Sequence, residues 1–177
     1  LVRSRGLGDV YKRQGALKVL QMIFSYEYLW IQIRVKGGAY GCMCSFSDQG
    51  DSMFVTYRDP NLSESYKVYD EAADYVADFD ADDRDMKKYI IGTIGSMDMP
   101  MEAVDMGARS FHAYFLGKTE ADLQKVRDQV LSCTQEDIRA LAPIVKAVVE
   151  AGNRCCIGNE EKIDQNKEYF DEVKHVL

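Results

Sequence analysis

The chain has 177 residues, 46% of them hydrophobic, and a formal net charge of −7. That is enough apolar material for one domain with a core and too little length for two. So acidic a chain lacks the basic stripe needed to track phosphates, which excludes nucleic acid as a partner class. Five cysteines (Cys42, Cys44, Cys133, Cys155 and Cys156) are odd in number and follow no framework spacing, which fits reduced thiols in a cytosol rather than a disulfide scaffold.

The first fourteen residues stand apart. Ser4 to Gln14, "SRGLGDVYKRQ", resembles the conceptual translation of a transposase-based sequencing-library adapter. On that resemblance residues 1–14 are not native, and residues 15–177 are one partial domain. The segment carries Arg3, Arg5, Lys12 and Arg13 against Asp9, so the remainder is more acidic than the whole. A basic head before the apolar run Val19 to Ile33 imitates a signal peptide. Lys18 and Glu27 interrupt the run, no small-residue cleavage site follows, and it is too short and too charged to span a bilayer. No targeting or membrane segment is expected.

From Ala16 to Val35 apolar residues recur at helical spacing (Leu17, Leu20, Phe24, Ile31). Val19, Ile23, Trp30 and Ile33 widen the stripe almost all round, which predicts a buried helix. Gly37 and Gly38 stop it, and Lys36 complements the negative helix end. Ala39 to Ser47 and Ser52 to Tyr57 read as a hairpin around Asp48 to Asp51. After Pro60, an Asn61–Glu64 capping box is expected to open a helix that runs to about Phe79. Further helices are predicted over Ala81 to Met97 and Pro100 to Leu116. Thr119 and Thr134, each three residues before an Asp, predict helix starts near Glu120 and Gln135. Arg154 to Gly158, "RCCIG", reads as a short strand, followed by one or two amphipathic helices. The order defines an α+β fold, an antiparallel sheet with helices packed on one face. A hairpin and one strand make a poor sheet, so further strands are expected at the front, and the piece alone is expected to be marginal and aggregation-prone.

The residues assemble no self-sufficient catalytic set. His112 and His175 lack a second ligand at metal spacing, and neither H-E-x-x-H nor H-x-x-E-H is present. Cys42 and Cys44 share a strand face without a second pair, and read as buried or half-buried thiols. Asp78 to Asp85 resembles a calcium loop but has Asp83 where Gly is required and Tyr89 where a bidentate Glu belongs, so it reads as a solvated helix junction. No metal ligand is assigned. That leaves "RVKGGAYG", Arg34 to Gly41. A helix end, a glycine stop and a tyrosine packed across a hairpin account for all eight residues. The functional alternative is that the Arg34 guanidinium offers donors to carbonyls or a carboxylate, Tyr40 donates to a developing oxyanion, and Gly41 lets another backbone approach.

"LWIQIRVKGGAYG" with "YRDPN", then "IIGTIGSMDMP" and "IGNEEKI", resembles the last domain of presequence-protease-type zinc metallopeptidases in the pitrilysin/insulinase family, over essentially all of Gly15 to Leu177. The resemblance implies a clam-shell enzyme of four similar α+β domains that closes around unfolded peptides. Its zinc motif would lie in the first domain, so zinc would be the cofactor of the complete enzyme and none would be bound here. Arg34 and Tyr40 would bind substrate backbone and stabilise the tetrahedral intermediate, with Gly38 and Gly41 also contacting substrate. The partners implied are peptide substrates and the N-terminal catalytic half of the same chain; the location implied is a bacterial cytoplasm, or an organelle matrix in a eukaryote. Cys42 and Cys44 stand where relatives often have smaller residues. Two other readings are a non-catalytic relative that uses this fold for peptide binding or assembly, and an independent small domain.

Overall fold

The computed structural model describes residues 13–47 and 50–175. Helix α1 (Gln14–Ile23) continues through Phe24–Tyr28 and Trp30–Lys36, where its turns widen to π-helical hydrogen bonding. The helix has its predicted extent but not its predicted burial. Ser25 Oγ donates to the Gln21 carbonyl at 2.7 Å, a back-bond that loosens the ladder where the winding changes. The wider turn keeps Phe24, Tyr28, Leu29 and Ile33, at steps of four and five residues, on the buried side. It rotates Trp30, Ile31 and Val35 outward, which corrects the expected all-round burial.

Of the segment expected to be foreign, residues 1–12 lie outside the described residues. Gln14 opens α1, and the Arg13 guanidinium donates to the Ala140 carbonyl.

Strands β1 (Gly41–Phe46) and β2 (Ser52–Tyr57) pair antiparallel, with Cys44 opposite Phe54 and Gly41 opposite Tyr57. Asp48 and Gln49 of the expected turn lie outside the described residues, and Asp51 accepts the Ser47 N–H at 2.8 Å where the hairpin closes. Alternation puts Cys42, Cys44 and Phe46 toward α1, where Phe24 meets the Phe46 and Phe54 rings at 6.3 and 5.7 Å. Met43, Met53 and Tyr57 are exposed on the other face. The fold is α+β as predicted, mostly helical with this small antiparallel sheet.

The segment predicted as one helix to Phe79 is two, α2 (Leu62–Asp70) and α3 (Ala72–Ala77). The Tyr28 hydroxyl donates to the Val68 carbonyl at 2.7 Å, competing with the helical ladder just before the break. The Asn61–Glu64 capping box does not form. The Asn61 side-chain amide donates instead to the Gly37 carbonyl, and Glu64 accepts from Ser63.

Helix α4 (Asp83–Met97) is capped by Asp82, whose carboxylate accepts the Asp85 N–H at 2.8 Å; the would-be calcium loop is therefore a helix junction, as read from sequence. Helix α5 (Ala103–Phe115) follows. Helices α6 (Glu120–Leu131) and α7 (Gln135–Arg139) begin at the predicted residues, each with the Thr–Asp capping box complete. Beyond α8 (Ala142–Glu150), Arg154 to Gly158 is not a strand, since among the described residues β1 and β2 pair only with each other. Arg154 holds this stretch by its ion pair with Asp70 at 3.0 Å and by lying over the Tyr66 and Tyr169 rings. The short α9 (Glu160–Asp164) and a 3₁₀ turn at Lys167–Tyr169 follow.

The core runs along α1. Leu20, Ile23 and Phe24 are fully buried, joined by Val76, Val130, Ile138 and Val145 from other helices and by Leu141 from the turn before α8. Each contributes about 1.5–3 kcal/mol relative to an exposed position.

Candidate functional site

The expected site residues lie where the π-helical end of α1 meets the first residue before β1. Three backbone bonds close that helix: Gly37 N–H to the Gln32 carbonyl, Gly38 N–H to Arg34 and Ala39 N–H to Ile33, at 3.0, 3.0 and 3.2 Å. Gly38 has φ +78°, which a side chain disfavours, and a Cβ on Gly37 would come 2.5 Å from the Ile33 carbonyl oxygen. Both glycines are thus required by the turn itself. Gly41 is different, with nothing within 4 Å of where a Cβ would stand.

This turn brings Arg34 and Tyr40 together. Arg34 Nε donates to the Tyr40 carbonyl at 3.2 Å, and its guanidinium lies 4.3 Å from the centre of the Trp30 ring, one helical turn back. Tyr40 is 67% exposed, and its ring meets Tyr57 edge-on at 5.9 Å. Among the described residues its hydroxyl has no hydrogen-bond partner, and Arg34 makes no ion pair. The site is therefore a cation and a phenol presented outward from a fixed turn.

The loop after β2 braces it. Asp59 Oδ1 accepts the Asn61 N–H at 2.9 Å and Oδ2 accepts from Ser65 Oγ at 2.5 Å, and Asn61 in turn reaches the Gly37 carbonyl. Arg58, at φ +49°, accepts the Tyr40 N–H on its carbonyl at 3.3 Å and places its guanidinium 5.9 and 5.4 Å from the Tyr40 and Tyr57 rings. Trp30, Tyr57 and Arg58 were not singled out from sequence. "YRDPN" carried the one available signal, an Asp-Pro-Asn turn directly after a strand.

Both strand thiols near the site lie toward the core. Burial pushes the half-buried Cys42 thiol up despite the opposing Arg34 charge, and pushes the buried Cys44 up to about 12, so neither is a ready thiolate. Among the described residues no three His, Cys, Asp or Glu side chains are grouped to hold a metal. The described residues therefore offer no grouping that fits a zinc site. Two cavities of about 730 and 740 Å³ lie elsewhere, sharing no lining residue with the Arg34–Tyr40 group. No helix among the described residues is long and apolar enough to cross a membrane.

Residues 7–159 match the family described as the PreP C-terminal domain, and the chain belongs to that family. Among its relatives are Protein HypA of Clostridium perfringens, 41% identical over 94% of this chain and 17% of the relative, and presequence protease 1, chloroplastic/mitochondrial, of Arabidopsis thaliana, 33% identical over 94% and 16%. The mitochondrial presequence protease of Aspergillus fumigatus is 34% identical over 82% of this chain and 13% of its own length. The chain thus spans about a sixth of the curated relatives it matches, and the match begins inside the segment expected to be foreign.

Proposed function

We propose that this chain is the C-terminal part of a zinc-dependent metalloendopeptidase that degrades unfolded oligopeptides, and that it closes the reaction chamber, binds substrate backbone and stabilises the tetrahedral intermediate. The observation that carries the reading is the Arg34–Tyr40 pair: an exposed phenol and a guanidinium without a carboxylate partner, on a turn that two glycines and Asn61 hold in place. Family membership and the names of the relatives support it.

In this reading Arg34 donates to substrate carbonyls and the Tyr40 hydroxyl donates a hydrogen bond to the oxyanion that develops at the scissile carbonyl, where a preorganised donor counts most. Gly38 holds the turn, and Gly41 leaves room for the substrate backbone. Zinc, which would supply Lewis-acid activation of water, would be held by a part of the parent polypeptide outside this chain, and the chain alone would be inactive. The location proposed is a bacterial cytoplasm, or an organelle matrix if the source is eukaryotic.

Tyr40→Phe in the complete enzyme tests the reading. It should lower turnover of an unstructured peptide about 10²-fold, the usual cost of losing one oxyanion donor, with the fold intact by circular dichroism. Wild-type turnover in that variant would remove Tyr40 from the chemistry.

A further inference from the structure

We propose that Arg58 is a specificity-determining residue of the same site, recognising a carboxylate on the bound peptide; this rests on the reading of the Arg34–Tyr40 surface as a peptide-binding one. Arg58 is the sole non-glycine residue with positive φ among those described, in a left-handed conformation that costs stability for any side chain with a Cβ. Such strain is commonest where a side chain must be aimed.

Its guanidinium is aimed across two exposed rings, Tyr57 at 5.4 Å and Tyr40 at 5.9 Å. Its own carbonyl accepts the Tyr40 N–H, so a backbone bond ties Arg58 to Tyr40. The neighbouring carboxylate that would ordinarily neutralise it is occupied elsewhere, because the Asp59 oxygens take the Asn61 N–H and the Ser65 hydroxyl.

Among the described residues neither Arg58 nor Arg34 forms an ion pair. On a chain of net charge −7, two guanidiniums without an ion-pair partner beside one tyrosine are a local reversal of sign. A guanidinium presents a planar fork of donors that matches a carboxylate two-to-two, and aromatic faces hold it ready. One such group beside Tyr40 suffices for backbone carbonyls; the second fits a carboxylate, supplied by an acidic side chain or by the peptide's C-terminus.

The test is equilibrium binding to the complete polypeptide carrying this chain, with chelator present so that no peptide is consumed. The probes are one labelled unstructured peptide in four forms: a central Glu or Gln, each with a free or amidated C-terminus. Wild type should bind a carboxylate form about tenfold more tightly than its amide counterpart at low salt, less so at high salt. The Glu/Gln pair and the free/amidated pair separate the two sources of the carboxylate. Arg58→Asn removes the charge with a residue that tolerates left-handed backbone, and should erase the ratio; Arg58→Lys should restore part of it.

Equal binding of all four peptides by wild type, no binding of any of them, or a ratio that survives in a folded Arg58→Asn overturns the proposal. Its failure is distinct from that of the peptidase reading. A surviving ratio together with the turnover loss in Tyr40→Phe sinks only the role of Arg58. An erased ratio with normal Tyr40→Phe turnover sinks only the oxyanion role.

Discussion

Helices α1 and α5 have similar amphipathic sequences and opposite fates. The first buries Leu17, Val19, Leu20 and Ile23 against the hairpin and helices α4, α6 and α7, whereas the second buries nothing, leaving Phe111 65% and Tyr114 81% exposed. The difference teaches that periodicity settles which side chains share a face, while what covers the face is a tertiary matter. The sharpest way to break the comparison is at Phe24, which sits among the Tyr28, Phe46, Phe54 and Tyr75 rings with no exposure. Phe24→Ala should cost about 3–5 kcal/mol in urea unfolding, or prevent folding outright, because the surrounding rings cannot all collapse into the space. A loss below about 1 kcal/mol would mean that α1 is no more committed to its surroundings than α5 is.

What was legible follows the same division. The α6 and α7 starts were readable because each is a local chemical event, a threonine and an aspartate three residues apart satisfying each other's backbone. The limits of α1 were readable from its apolar run and its glycines. The π-helical winding was not, since it depends on how Phe24 and Tyr28 find partners on the hairpin and α3. Nor was the loss of the Asn61 cap, because its amide is drawn to a carbonyl 24 residues away. At the candidate site, Arg34 and Tyr40 were singled out through a motif and by resemblance. Arg58 was not singled out, because nothing in the letters "YRDPN" announces a left-handed backbone.

Two glycines of the Arg34–Gly41 stretch, Gly38 and Gly41, offer a middle-sized effect. Gly38→Val places a β-branched side chain at φ +78° and should cost about 1–3 kcal/mol in the same unfolding measurement, disturbing the turn that relates Arg34 to Tyr40. Gly41→Ala adds a methyl with no atom within 4 Å and should leave stability within about 0.5 kcal/mol. If Gly41 is there to admit a substrate backbone, the same change raises KM in the complete enzyme while the melting midpoint stays in place. An unchanged KM would reduce Gly41 to an ordinary strand residue.

The smallest effect belongs to α5. Val104, Phe111 and Phe115 recur at seven and four residues, so they lie along one face, and that face packs on no buried side chain. Phe111→Ser should therefore leave the unfolding free energy within about 0.5 kcal/mol of wild type: the folded state loses only an exposed ring, which the unfolded state exposes as well. The same change should lower binding of an apolar-surface dye to the folded chain and reduce its self-association at high concentration, because Phe111 and Phe115 form an exposed aromatic pair with ring centres 4.6 Å apart. Destabilisation approaching that of Phe24→Ala would show that α5 is covered in solution after all, and would erase the contrast between the two helices.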